Sequence, residues 1–256
     1  MNYGICNLSM IPLRIEPSDQ SEMVSQVLFG EHFKVLDKSK QWRKIRLAYD
    51  KYEGWIDEKQ YLEIKKEYYT ELNSNPIFLS NELVDFASNA NTQLLTIPLG
   101  STLPDYDKST FLLKEEKFTF EGKIASDKGK KSDIIKTAFM YLNTPYLWGG
   151  KTPFGIDCSG LTQMVYKLNG YKLLRDASQQ ASQGEVLSFI EESEPGDLAF
   201  FDNSEGDIIH VGIIMANNHI IHASGCVRID RIDQSGIFNE QIKKHTHKLR
   251  VIKKIF

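Results

Sequence analysis

Hydrophobic and polar positions change their rhythm twice along the chain. Up to about residue 64, short apolar runs alternate with turn residues: Val24 to Phe29, Phe33 to Leu36 and Lys44 to Leu47. Gly30-Glu31 and Asp37-Lys38 read as breaks, and Glu53-Gly54-Trp55-Ile56 restarts a strand. Several short strands at close spacing predict a small barrel or sandwich. From 65 to about 125, strands are predicted at Leu94 to Leu99, Phe111 to Leu113 and Lys117 to Gly122. Asn73-Ser74-Asn75-Pro76 reads as a turn and Thr102 to Thr110 as a loop, so this stretch is expected to be a second small β-domain.

From Ser126 the period lengthens. Ser132 followed by Asp133 opens a helix with Ile134, Ile135, Ala138, Phe139 and Leu142 on one face, and Asn143-Thr144-Pro145 stops it. A second helix opens at Asp157-Cys158-Ser159, carries Leu161, Met164, Val165 and Leu168 at helical spacing, and closes at Asn169-Gly170. Strand-like segments follow at Asp197 to Phe201, His210 to Met215, His219 to Ala223 and Val227 to Ile232. Helices first and strands after predict a segregated α+β domain. The basic stretch KKHTHKLR, with His245 and His247, reads as a solvated tail.

Composition narrows the partners. Of 256 residues, 41% are hydrophobic and 25% charged, which excludes disorder as the main state. Thirty-one basic residues face thirty-four acidic ones, so neither nucleic acid nor an anionic membrane is expected as a partner. No run approaches the ~18 apolar residues of a membrane span. The opening MNYGICNLSM has no basic segment followed by an apolar run. A soluble cytoplasmic monomer is the expectation, or a periplasmic or extracellular one if a leader has been trimmed. Cys6, Cys158 and Cys226 form no CxxC pair, which disfavours both a disulfide framework and a cysteine-built zinc site.

Cys158 sits where a helix begins, and there backbone N–H groups and the helix dipole are expected to lower its thiol pKa. A nucleophilic thiolate needs a histidine. His210 opens the strand HVGIIM, and His222 lies on the next one, in HIIHASG. An odd loop, Ala216-Asn217-Asn218, would set residue 222 opposite 212 and both histidines on one face of the sheet. A two-residue Asn-Asn turn would set them on opposite faces. The chemistry requires the first case, with one His as base and the second orienting it.

The surrounding motifs, TPYLWGG, KTPFGIDCSGLT, LLRDASQQ, EPGDLAFF, HVGIIM and HASG, resemble in order and spacing the NlpC-type cell-wall peptidases, a papain-like cysteine peptidase family. The resemblance spans residues 126 to 256. Near the other end, GWIDEKQYLEI resembles the final strands of bacterial SH3-type domains. The implied fold class is multidomain: two N-terminal all-β SH3-like barrels, at 1–64 and 65–125, then an α+β papain-like catalytic domain at 126–256.

The resemblance implies Cys158 as nucleophile, His210 as base and His222 as the third polar residue. It implies that Tyr146 hydrogen-bonds substrate or supports the oxyanion. Asp157 would bind a substrate ammonium as well as cap the helix, and Ser159 would donate a hydrogen bond. Gly149, Gly150 and Gly155 would serve backbone geometry, and Trp148 would pack. Arg175, Asp176, Ser178 and Gln179 match a loop beside the cleft, with Ser178 as the substrate contact.

The domain combination resembles the γ-D-glutamyl-L-diamino acid endopeptidases of this family, the dipeptidyl-peptidase VI group. That implies cleavage of L-Ala-γ-D-Glu from L-Lys or diaminopimelate in murein stem peptides with a free N-terminus. Glu22, in SEMVSQVLFGE, and Tyr52, in YDKYEGW, are then the barrel residues expected to face the substrate ammonium. No metal or organic cofactor is called for. The alternatives are a non-catalytic cell-wall-binding protein and a cysteine-dependent acyltransferase.

Overall fold

A computed structural model describes residues 2–91 and 93–256, and the chain divides into two compact units, Met1–Ser126 and Asp127–Phe256. In the first unit, β1 (Asn2–Ile5), β2 (Met10–Arg14), β3 (Met23–Leu28), β4 (His32–Ser39), β5 (Trp42–Leu47), β6 (Glu53–Asp57) and β7 (Leu62–Ile64) form one sheet, in the order β3-β2-β6-β5-β4-β1-β7. Alternation explains it. Ile11, Leu13, Val27, Phe33, Ile45 and Ile56 point to one side and are fully buried together. The expected break at Asp37-Lys38 is absent, because β4 continues through it. A register shift between Val35 and Asp37 absorbs Leu36 as a bulge. The chain reverses instead at Lys40-Gln41, with Lys40 at a φ of 51°.

A helix follows that the sequence pattern did not announce, α1 (Lys66–Ser74), ending at the expected Asn75-Pro76. Only Tyr69 and Leu72, one turn apart, are buried on it. Beyond it come β8 (Leu79–Ser80), β9 (Val84–Asn89), β10 (Leu94–Pro98), β11 (Thr110–Leu113), β12 (Glu116–Thr119) and β13 (Ile124–Ala125). Four of these strands form a sheet in the order β10-β9-β12-β11. Tyr3 from the first sheet and Phe29 from the turn after β3 share one apolar cluster with Ala87, Ile97, Phe111 and Phe120 from the second segment. The two β segments are therefore packed on a common core within one unit.

The second unit contains α2 (Lys131–Met140), β14 (Lys151–Thr152), β15 (Gly155–Ile156), α3 (Cys158–Leu168) and α4 (Ala177–Gln180). After them run β16 (Glu185–Leu187), β17 (Leu198–Asp202), β18 (Ile208–Met215), β19 (His219–Ser224), β20 (Cys226–Asp233), β21 (Gly236–Asn239) and β22 (Lys244–Lys254). The sheet order is β16-β22-β17-β18-β19-β20-β21, and β22 also pairs with β21. Strands β17 to β22 thus close into a six-stranded barrel. The expected solvated tail is this closing strand. One end of β22 pairs with β21 and the other with β17 and β16, over 11 residues.

Helix α3 lies against α2, β18 and β19 and is buried over its whole length, so its first residue is held close to the barrel. It ends as expected, with Gly170 at a φ of +75°. Among the described residues no helix is long and apolar enough to cross a membrane.

Candidate active site

The β18–β19 hairpin decides whether the two histidines meet. Its loop is the odd one, and Gly212 stands directly opposite His222, with Asn217 and Asn218 both left-handed at φ 58° and 57°. His210 and His222 therefore share a face, as the nucleophile reading required. A Cβ at Gly212 would come within 2.9 Å of the His222 Cβ, so glycine there leaves room for the second ring. His210 Nε2 and His222 Nδ1 are 2.8 Å apart, and His222 Nε2 is 3.0 Å from Asp230 Oδ2.

Asp230 fixes every proton on this chain of groups. It stands on β20 opposite Ile220; Arg228 Nη2 donates to its Oδ1 at 2.9 Å, and Arg228 Nε lies 2.7 Å from Oδ2 as an ion pair. Burial alone would raise its pKa, but hydrogen bonds from His222 and Arg228 outweigh that and hold it low. An ionised carboxylate only accepts, so neutral His222 must carry its proton on Nε2. His222 Nδ1 then accepts, and neutral His210 must donate from Nε2. The lone pair on His210 Nδ1 is left outside this chain of hydrogen bonds. Sequence reasoning missed Asp230, although its alternation with Arg228 on a strand beside HIIHAS offered a signal.

Cys158 is the first residue of α3, and its sulfur meets the backbone of Val211, the neighbour of His210. The expected lowering of its pKa is overturned. Burial, then the Asp157 carboxylate, push the thiol up to about 12, against hydrogen bonds from the Val211 and Ser159 backbone and the charge of Arg175. A helix start contributes only about 0.3–1 kcal/mol, less than burial takes away. Burial, followed by the neighbouring His222 and His247, holds His210 well below the usual imidazole range. The resting pair is thus neutral thiol and neutral imidazole.

Asp157 caps α3 and is fully engaged. Its Oδ1 accepts from Gly160 N at 2.6 Å, Ser159 Oγ at 3.3 Å and Arg175 Nη1 at 3.1 Å. Its Oδ2 accepts from Gly149 N at 2.8 Å and Arg175 Nη2 at 2.6 Å. Gly149 holds a φ of +76°, the left-handed turn that aims its N–H at that oxygen. An incoming ammonium would share these oxygens with Arg175. Arg175 also donates to Ser159 Oγ at 3.0 Å, and buried Gln180 donates to the Ser159 carbonyl at 2.9 Å. Arg175 therefore braces the loop onto the start of α3.

Tyr146 is half-buried, with its N–H on the Gly225 carbonyl at 3.0 Å. Burial, then Cys158 and Asp157, raise its pKa, which keeps the phenol a donor beside the thiol. Trp148, expected to pack, is 58% exposed. Ser178 is exposed on α4. Glu22, exposed before β3, and Tyr52, half-buried against the apolar cluster of the first sheet, belong to the other unit.

The nitrogens of His210, His222 and His247 lie within 4.8 Å of one another, a spacing that invites a metal ion. Their lone pairs do not converge. The His210 and His247 rings are stacked at 4.2 Å and 26°, and both nitrogens of His222 are already hydrogen-bonded.

Comparison with known proteins agrees with this geometry. Residues 143–251 match the NlpC/P60 family model and residues 13–60 the bacterial dipeptidyl-peptidase SH3 domain. The chain is 30% identical over 217 residues to a gamma-D-glutamyl-L-lysine dipeptidyl-peptidase of Bacillus subtilis, covering 78% of this chain and 71% of that one. It is 28% identical over 244 residues to dipeptidyl-peptidase 6 of Lysinibacillus sphaericus, covering 84% and 85%. A crystal structure of an NlpC/P60 family protein from Bacillus cereus shares the fold, with a TM-score of 0.81 and 21% identity, covering 99% of each chain.

Proposed function

The chain belongs to the NlpC/P60 family, cysteine peptidases that act on peptidoglycan, and we propose that it cuts the γ-D-Glu–diamino acid bond of murein stem peptides. The observation that carries this reading is the proton order from Asp230 through His222 and His210, which leaves a basic nitrogen for Cys158. The name of the Bacillus subtilis relative supplies the substrate class.

The steps are these. Cys158 Sγ attacks the γ-carbonyl carbon of D-Glu as its proton passes to His210 Nδ1. The developing oxyanion takes hydrogen bonds from the Cys158 N–H, which has no helical carbonyl to serve, and from the Tyr146 hydroxyl. His210 then protonates the leaving amine and the C–N bond breaks. Water, giving its proton to His210, cleaves the thioester and releases L-Ala-γ-D-Glu.

Ser159 and Ser178 are substrate contacts in this reading. Asp157 receives the free N-terminal ammonium of L-Ala. Residues 65–125 are read as a second SH3-like barrel, supported by their own four-stranded antiparallel sheet.

The test is mass spectrometry of digests of L-Ala-γ-D-Glu-L-Lys with a free and with an acetylated N-terminus, with Cys158→Ala as control. Cleavage of the free peptide alone is expected. Equal cleavage of both would keep the peptidase and remove the ammonium site. Cleavage of neither, with the diaminopimelate versions also inert, would overturn the reading.

A further inference from the structure

His247 has no part in the steps above, yet it lies against the base. Its ring is 4.2 Å from that of His210 with the planes 26° apart, and it stands edge-on to His222 at 5.6 Å and to Phe201 at 6.0 Å. A bulge puts it there. Ile237 pairs with His247 and Phe238 with His245, so Thr246 is the extra residue. Strict alternation would send both histidines to one face. Instead His245 faces outward to Asp233 at 2.9 Å, and His247 turns in to the rings. Thr246 Oγ1 lies 2.9 Å from His247 Nδ1 and reaches the Ile237 carbonyl at 3.4 Å, which sets the angle of the ring.

We propose that His247 is a positioning residue, whose ring covers one face of His210 and holds it in the plane that joins Cys158 to His222. The bond to His222 fixes a single nitrogen and leaves the ring free to tilt about it. A stacked plate removes that freedom and keeps water from the ring face. When His210 takes the thiol proton, the imidazolium lies on a neutral aromatic face, an attractive arrangement.

Neutrality of that face is built in. The groups that bear on His247 are His210 from β18, His222 from β19 and Asp230 from β20, while Lys248 beside it turns to Asp202 at 3.5 Å. Burial, then His222, bring its pKa down to about 4, with Asp230 opposing.

The proposal rests on Cys158 and His210 being nucleophile and base, so the experiment carries two readouts. His247→Ala, His247→Asn and His247→Phe are made in the full chain. Asparagine keeps a hydrogen-bonding partner for Thr246 but no ring, and phenylalanine keeps the ring but no nitrogen. Tripeptide hydrolysis gives kcat and KM. Alkylation of Cys158 by iodoacetamide across pH, read by peptide mapping, needs no substrate.

The Ala and Asn variants are expected to lose about tenfold in kcat with KM within about twofold. Their acid limbs, in kcat/KM and in alkylation, move up by about one pH unit as water reaches His210. The Phe variant returns to within about threefold of the wild-type chain. An unchanged kcat and acid limb in His247→Ala overturns the proposal. So does a folded His247→Phe as impaired as His247→Asn, a pair that decides the matter even if the Ala variant does not fold. If the wild-type chain leaves the tripeptide intact, the functional reading fails while the alkylation profiles still judge His247.

Discussion

Two cysteines in this chain sit in equally hostile surroundings, and the proposed function gives them opposite fates. Cys6 and Cys158 are both buried, and burial pushes each thiol up to about 12. The Cys6 thiol donates to the carbonyls of Leu8 at 3.2 Å and Val27 at 3.6 Å, inside the apolar cluster of the first sheet. Burial keeps its proton on, and the Glu31 carboxylate adds to the effect, against a backbone hydrogen bond at Leu8. Cys158 meets backbone donors and a charged Arg175, with a base prepared by its neighbours. The lesson is that a high resting pKa does not separate an inert thiol from a nucleophile. What separates them is whether a proton acceptor and oxyanion donors are already in place.

The hardest test of that contrast removes each sulfur. Cys158→Ala is expected to lower kcat by about 10⁴-fold or more, while Cys6→Ala leaves turnover within about twofold and costs only about 1 kcal/mol in urea unfolding. Comparable activity losses would erase the distinction.

Next in size is the proton order. Asp230→Asn gives His222 a partner that can donate as well as accept, so the tautomer is no longer imposed. We expect kcat to fall by about 10- to 100-fold with KM little changed, and His222→Ala to fall at least as far. Steady-state kinetics on the tripeptide checks both.

The brace under the nucleophile should register in stability. Arg175 and Asp157 form a buried pair, 1% and 7% exposed at the side chain. Arg175→Met leaves the carboxylate buried without its cation, and a loss of about 3 kcal/mol is expected from urea titration. A change under ~0.5 kcal/mol would mean that Asp157 is held by the Gly149 and Gly160 amides alone.

The smallest effect is one of pH. An ordinary imidazole at pH 6 is about three-quarters protonated. His210 is held lower, so kcat/KM should stay on its plateau at pH 6 and drop only in more acid solution. Stability shows the same sign. The folded pKa values of His210 and His247 are depressed, so below about pH 6.5 the unfolded chain binds more protons. Their contribution is complete above pH 6.5 and fades as pH falls toward 4, the value held by His247. Thermal midpoints should therefore fall between pH 7 and 5, and His247→Asn should flatten part of that slope.

Sequence patterns carried a good deal of this, and their failures have physical causes. The α3 start and stop and the strands around His210 follow from caps and alternation, which act locally, whereas the hairpin register stays open in the sequence between two loop lengths and is decided by the pairing of Gly212 with His222. Helix α1 escaped notice because two buried residues one turn apart make too weak a stripe. Strand β22 was hidden by its charge. It alternates lysine and arginine outward along a barrel rim, and only closure of the sheet gives it partners. His247 depends on a bulge, which no period of two foresees. Asp230 needed the register of a third strand before its place beside His222 could be known.

Strand β22 also sets an order of assembly within the life of the molecule. Synthesis runs from Cys158 toward Lys254, so the nucleophile helix and three strands of the relay leave the ribosome before the strand that closes the barrel. Until residues 244–254 have been added, β17 and β21 each present an unpaired edge, and His210 lacks its plate. A nascent chain halted at residue 243 therefore holds Cys158, His210, His222 and Asp230 without a closed barrel around them. Closure of the barrel around His210 is thus one event that needs two edges, β17 and β21, to be met by the same strand.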